Sequence, residues 1–293
     1  MEYLDRYEHF LERQGIHSIR LGKILLREYN QIIIPLGPIL VDAPKESIDI
    51  PAIFKKLKGK LVWWSFFDGE AVQSGWYGVI KKEYIEIEDY PSSNVRNQIR
   101  KGIKNCLIKR IPIRDLAEKG YPVYASAVKE HLKKRLKSIS DFKNEIEQLE
   151  DFQDIIHSWG IYHDEILIGY SLVYTYGNIE ANISEIRINP DYNSQYPSYA
   201  LFHLLSAEYL NKQGFKYMSD GYRNLMHKTQ IQDFLIKKFG FIKAGLTLQM
   251  AFRFPWNIVV PCLHPFRVLV KFDSVSAVFQ LLSIYKNQKR LPK

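Results

Sequence analysis

The sequence predicts an α+β fold, with mixed and mostly antiparallel sheets flanked by helices. Three observations predict it. The second half reads as three consecutive antiparallel strands followed by helix, strand, helix and strand. The segments 121–151 and 198–213 are helical in period. Hydrophobic residues make up 46% and charged residues 25% of the 293 positions, the profile of a globular chain that buries its core without staples.

Each element follows in order. Ile19 to Leu36 reads as a hairpin, because Ile24-Leu25-Leu26 and Ile32-Ile33-Ile34 flank Glu28-Tyr29-Asn30; Pro35, Gly37 and Pro38 end it. Pro51 to Lys58 is a short helix with proline in its first turn. Leu61 to Phe67 is a strand and Asp68-Gly69 a turn, after which Val72 to Ile80 and Tyr84 to Glu88 continue the sheet. Ser93 or Asn94 opens a helix that runs to Asn105, and Leu107 to Ile111 is the next strand. Tyr121 to Asp151 is helical, interrupted around Ser138 to Ser140. The strands Ile155 to Tyr162, Ile166 to Tyr176 and Ile179 to Asn189 turn at His163-Asp164-Glu165 and Gly177-Asn178, and Pro190 stops the last. A helix from Ser198 to Gln213 puts Leu201, Leu204, Leu205 and Leu210 on its apolar face and ends at Gly214. Phe215 to Met218 is a short strand, Thr229 to Phe239 a helix, and Leu246 to Phe254 a final strand. The domains expected from this order are 1–120, 121–254 and a C-terminal extension, 255–293.

Composition limits the partners. Cys106 and Cys262 lack metal-ligand spacing and read as two buried free thiols in a reducing compartment. No spacing of His, Cys, Asp or Glu suggests a metal, and no G-x-S-x-G nucleophile motif appears. No signal-peptide pattern and no run of about 18 uncharged apolar residues is present, so the expected location is the cytoplasm. A formal charge of +9 suits an anionic partner: a nucleotide cofactor, a tRNA or an acidic membrane face. Arg96, Arg100 and Lys104 recur at i, i+4 and i+8, and Tyr90 to Arg114 holds seven Lys or Arg and no Asp or Glu. Arg forks pair with phosphate or carboxylate, so Arg96 and Arg100 are candidate substrate contacts; a solvated helix face is the alternative. From Phe254 onward, Trp256, Phe266 and flanking cations fit either a membrane interface at 255–293 or packing on the first domain.

The strand Ser184-Glu185-Ile186-Arg187-Ile188-Asn189-Pro190 runs into Gln195-Tyr196-Pro197-Ser198-Tyr199-Ala200. This junction resembles the Q/R-x-x-G-x-G/A loop of the GNAT acyltransferases, with Ser198 in place of the middle glycine. Gly221-Tyr222-Arg223, the stretch His227 to Phe241 with its Phe239-Gly240-Phe241 turn, and Asn94 to Lys104 resemble a Fem-related GNAT subgroup. That subgroup includes acyltransferases of envelope and exopolysaccharide pathways and the Fem-type aminoacyltransferases. The resemblance covers residues 60 to 270. It implies a GNAT fold with a degenerate GNAT-like N-terminal unit packed beside it. It also implies acyl-CoA (acetyl-CoA) as donor, lying along Ile186 and Ile188 and across Gln195, Ser198, Tyr199 and Ala200. A helix start offers unpaired N–H groups and the positive end of its dipole to phosphates there.

Amine acylation needs a proton acceptor and a polarised carbonyl. Glu185, His227 and Tyr222 are the catalytic candidates. Arg223, with Tyr222, could hold an acceptor carboxylate or the oxyanion; Asp220 positions the loop. His157 and His163 read as structural. The acceptor implied is an amine of an amino sugar or amino acid derivative, small or lipid-linked. A second reading takes aminoacyl-tRNA as donor, favoured by the basic helix and by Ser198, although Lys129 to Glu150 is short for the helical hairpin that Fem-type enzymes carry. A third keeps the fold as a non-catalytic binding protein.

Overall fold

In a computed structural model of the chain, the described residues are 2–44, 48–67, 75–131, 136–225, 231–269 and 273–290. In chain order the elements are α1 (Glu2–Arg13), β1 (Ser18–Leu21), β2 (Ile24–Tyr29), β3 (Ile32–Leu36), α2 (Ile50–Lys56), β4 (Leu61–Phe66), β5 (Tyr77–Lys81), α3 (Ser93–Asn105), β6 (Leu107–Arg110), α4 (Ile113–Lys119), α5 (Tyr121–His131) and α6 (Ile139–Glu147). Then come β7 (Ile156–His163), β8 (Ile166–Tyr176), β9 (Glu180–Ile188), α7 (Pro197–Ser206), β10 (Tyr217–Tyr222), α8 (Ile231–Phe239), β11 (Ile242–Gly245), β12 (Thr247–Phe252), α9 (Trp256–Leu263) and α10 (Asp273–Gln288). No helix among the described residues is long and apolar enough to cross a membrane.

The chain forms two compact units. Unit 1 takes Met1–Val79, Gly221–Gln232 and Lys243–Lys293; unit 2 takes Ile80–Asp220 and Asp233–Ile242. The division expected near Tyr121 therefore falls inside unit 2, between α4 and α5. The α+β class holds in each.

Unit 1 is built on a five-stranded sheet in the order β1-β2-β3-β4-β12. The expected hairpin is the β2–β3 part of a three-strand meander, turned by Asn30 and Gln31 at positive φ. Chain return closes this sheet: β12 pairs with β4 at six positions, from Thr247↔Phe66 to Phe252↔Leu61. Residues 255–293 belong to this unit as well, since Ala277, Phe279, Leu281, Leu282 and Ile284 of α10 are buried and the Leu248 amide donates to Gln288 Oε1. α2 is capped by Asp49, whose carboxylate accepts from the Ala52 amide, and covers the core of Leu26, Ile33, Val62 and Trp64.

Unit 2 contains the strand order β10-β9-β8-β7-β6, antiparallel from β6 to β9 and parallel between β9 and β10. Three of its strands match the sequence reading because their apolar runs are long and their turns take φ above zero at Asp164, Glu165 and Gly177. Ser92 and Ser138 cap α3 and α6. Tyr84 to Glu88, expected in the sheet, is irregular and leads into a 3₁₀ turn at Ile87–Asp89; three carboxylates there find water more readily than a strand partner. α7 continues as a π-helical segment, Ala207–Lys212, that turns Tyr209 inward. Gly240 takes φ +72° between the buried Phe239 and Phe241, the sharp turn a side chain there would strain. Cys106 is buried as expected, but Cys262 is exposed.

Candidate active site

The parallel pair β9–β10 joins at three positions, Tyr217↔Glu180, Met218↔Ala181 and Ser219↔Asn182. No further pair links them, so Ile183 to Ile188 present backbone groups without a strand partner on the β10 side. On the other side of β9, Leu172 faces Glu185 while Val173 faces Ile183. Ser184 is the extra residue of a bulge at the level where the strands part, and the bulge bends β9 there. Ile186 and Ile188, expected along a donor arm, both lie on this unpaired stretch and are half-buried.

Glu185 stands just past the bulge, half-buried. The Tyr170 phenol donates to its Oε1 at 2.9 Å, and Arg187 Nη2 lies 3.2 Å from the same oxygen. Burial and the neighbouring Glu185 push the Tyr170 phenol far above its usual range, so it remains a donor. Arg187 also donates from Nη1 to the Ile186 carbonyl at 2.9 Å, and its buried Nε has no partner among the described residues. Glu185 thus sits in a polar setting: a carboxylate fixed in direction by two donors, with surface left for a proton to reach it.

The opening of α7 offers few donors. Tyr196 sits in the left-handed region (φ +59°), and its carbonyl accepts from the amides of Tyr199 at 3.1 Å and Ala200 at 3.3 Å. Pro197 has no N–H. Only the Ser198 amide remains among the first turn, and neither it nor the Ser198 hydroxyl has a partner among the described residues. α3 seats against one side of this opening through Gly102, where a methyl group would stand 2.5 Å from the Tyr196 carbonyl oxygen and 3.2 Å from the Ala200 nitrogen. The Ala200 and Tyr199 amides expected to face phosphates are therefore spent within the helix, and Ala200 is fully buried. Gln195 turns toward α3, accepting from Asn105 Nδ2 at 3.0 Å.

The basic helix behaves likewise. Arg96 donates from Nη1 to the Tyr90 carbonyl at 2.6 Å, and Arg100 pairs with Glu88 at 2.5 Å and reaches Asn97. Both guanidinium groups thus have partners within unit 2, because the 3₁₀ turn before α3 brings carbonyls and a carboxylate to them. Tyr222 and Arg223 belong to unit 1. Tyr222 stacks on Trp76 at 5.8 Å and meets Trp63 edge-on at 5.1 Å, while Trp76 donates to Ser65 at 2.6 Å. Arg223 donates to the Gly75 carbonyl at 2.6 Å and lies over the Tyr77 ring. His227, and Thr229 at the start of the expected helix Thr229 to Phe239, lie outside the described residues, as do Asp68-Gly69.

Two buried polar clusters of unit 2 escaped the sequence reading. Glu180 has no exposed surface; it accepts from the Tyr217 phenol at 2.8 Å, from the Ser219 hydroxyl, and from Asn182 Nδ2 at 3.2 Å. The cluster locks the paired end of β9 and β10 directly below their divergence. Lys81 is 1% exposed, its amine 3.4 Å from the Tyr90 hydroxyl, and burial pushes it down to about 8. Nearby, His203 on α7 faces Tyr84, and burial, aided by Lys81, pushes it down to about 4. The alternation Glu180-Asn182 was the available signal, but it cannot distinguish a solvent-facing row from one met by Tyr217 and Ser219, 37 positions later. His157 is a neutral, satisfied histidine, its Nδ1 2.8 Å from the Tyr209 hydroxyl.

No family model matches the chain, and no curated protein matches it. Solved structures do. The chain is similar to the C-terminal domain of a protein described as a lysylphosphatidylglycerol synthetase from Agrobacterium fabrum, at 11% identity over 89% of this chain and 94% of that one, TM-score 0.55. It is similar to FemX at 9% identity over 88% and 92%, TM-score 0.56. It also aligns with a GCN5-related N-acetyltransferase-like protein from Streptococcus suis at 14% identity over 81% and 88%, TM-score 0.40. At these identities the likeness is one of fold: the chain is an α+β protein whose fold is similar to those of FemX and the synthetase domain.

Proposed function

We propose that the protein is an acyl-group transferase working along the unpaired stretch of β9 beyond Asn182, with Glu185 accepting the proton of the attacking amine. One observation carries this reading: two parallel strands part after three pairs, at a bulge that sets a doubly held carboxylate beside the opening. An amine attacking the carbonyl of an activated ester or thioester must shed a proton, and Glu185 takes it directly or through one water. The carbonyl oxygen becomes an oxyanion; the donor's oxygen or sulfur then leaves and is protonated. Tyr170 and Arg187 hold the Glu185 oxygen in place through both steps.

An aminoacyl ester is the donor that fits best. The α7 opening has a single free amide, at Ser198, for a pyrophosphate, and FemX and a lysylphosphatidylglycerol synthetase domain, the latter named for an aminoacylated lipid, are similar at TM-scores above 0.5. Acyl-CoA is the second reading, favoured by the free amide and hydroxyl of Ser198 at the positive end of the α7 dipole. The acceptor proposed in either case is an amine of an amino sugar or amino acid derivative, small or lipid-linked, in envelope or polysaccharide synthesis.

Binding of acetyl-CoA, longer acyl-CoAs and charged tRNA, followed by thermal shift and single-turnover transfer, separates the donors. With the productive donor, Glu185→Gln should lower the transfer rate by about 100-fold, the lower end of general-base contributions, with donor affinity unchanged. Transfer at the native rate by Glu185→Gln, or no response to any donor, removes the proposal.

A further inference from the structure

The C-terminal part of unit 1 leaves apolar surface outside a well-anchored scaffold. Phe254 is 73% exposed, Ile258 55%, Leu263 51% and Phe266 61%. Four of the eleven exposed large apolar side chains among the described residues thus fall within thirteen positions, the rest being scattered; single exposed hydrophobes need no explanation, but a cluster does.

This exposure does not come from loose packing. Arg253 donates from Nε to the Gly59 carbonyl at 2.8 Å and from Nη2 to the Leu57 carbonyl at 2.7 Å. Trp256 lies under the Lys60 ammonium at 4.7 Å. His264 Nε2 is 2.8 Å from the Ser283 hydroxyl, and its ring meets Phe279 edge-on. Trp256 at the start of α9 and His264 just past its end thus tie the segment to the unit, while Phe254, Ile258 and Phe266 recur at multiples of four residues and are exposed.

The surrounding charge has one sign. From Arg253 to the end, the sequence carries seven Lys or Arg and a single acidic residue, Asp273. Arg267 and Lys286 lie close enough to His264 to add to the burial that lowers its proton affinity. An aqueous protein partner would need a matching acidic, apolar surface, whereas the interface of an anionic bilayer supplies both properties together.

We propose that Phe254, Ile258, Leu263 and Phe266 dock unit 1 on the surface of an anionic lipid bilayer, with Lys60, Arg267 and Lys286 pairing with headgroup phosphates. The inference goes beyond the transfer chemistry and stands whether or not Glu185 is the proton acceptor.

Flotation of the full chain with vesicles tests it. Binding to mixed phosphatidylcholine–phosphatidylglycerol vesicles at about 0.1 M salt should exceed binding to pure phosphatidylcholine, and should weaken at about 0.5 M salt as screening shortens. Phe254→Ser with Phe266→Ser should weaken binding about tenfold or more while circular dichroism and Tm stay native, as lost apolar insertion requires. Arg267→Gln with Lys286→Gln should remove the preference for the anionic lipid. No flotation with the anionic vesicles, or native binding by the folded double Ser variant, overturns the proposal. So does a dimer in light scattering that Phe266→Ser dissolves in a chain that never floats, since the face would then belong to a second copy.

Discussion

A carboxylate without exposed surface persists at Glu180 because donors that include Tyr217, Ser219 and Asn182 reach it. Removing it strands those donors in a dry place, and the cost of orphaned buried groups exceeds the net worth of the bonds themselves. Glu180→Ala should therefore lower unfolding free energy by about 3 to 5 kcal/mol, the range for breaking a buried charged network. Urea denaturation measures it; a loss under about 0.5 kcal/mol would mean that the cluster is solvated. Glu185 differs, since it keeps surface and borrows only Tyr170 and Arg187. Glu185 was legible in the sequence as a carboxylate on the third strand of the second half, whereas its partners were not. Arg187 lies two residues further along the same strand, whereas Tyr170 reaches Glu185 through the register of β8 on β9, which the bulge at Ser184 shifts by one residue with no sequence signature.

At the scale of elements, Gly102 decides how α3 meets α7. Alanine normally gains about 1 kcal/mol over glycine inside a helix. Here its methyl would stand 2.5 Å from the Tyr196 carbonyl oxygen and 3.1 Å from Ala200 Cβ, and backbone cannot swing aside as a flexible side chain can. Overpacking costs about 1 to 3 kcal/mol beyond that gain, so Gly102→Ala should destabilise, while the exposed neighbour Lys101→Ala should stay within about 0.5 kcal/mol. Equal stability of the two variants by thermal denaturation would contradict the close approach. The helix itself and its end at Asn105 were readable; its cap is Ser92 and not the expected Ser93 or Asn94, and that its arginines would be taken by Tyr90 and Glu88, and that its glycine would lean on the opening of α7, were not readable. α1 shows the converse: Tyr3, Leu4, Tyr7, Phe10 and Leu11 form a stripe of helical period that lay open to reading in the sequence.

For the molecule as a whole, the buried basic groups set the pH response. His157 and His203 are held down to about 4 against an ordinary 6.5. The unfolded chain binds protons that the folded one refuses, so stability is complete above about pH 6.5 and is lost as pH falls toward 4, by up to about 3 kcal/mol for each group. Lys81, held at about 8 against 10.5, acts at the other end: stability rises as pH climbs from 8 to 10.5. Denaturant titrations across pH test both windows, and His157→Gln with His203→Gln should flatten the acid limb. An unchanged acid slope would show that these rings charge freely in the folded state.

The sequence by itself determined the periodic elements: the long strands of the second half, the helix ending at Asn105, the Phe239-Gly240-Phe241 turn and the α+β class, because hydrophobic period and turn residues act over a few positions. Tertiary structure alone decided that β12 and α10 return to the N-terminal sheet, that β9 and β10 part after three pairs, and that the amides opening α7 are spent on Tyr196. Those outcomes rest on contacts between segments far apart in the chain, where the free energy comes from which surfaces meet and not from any local preference of the residues that meet.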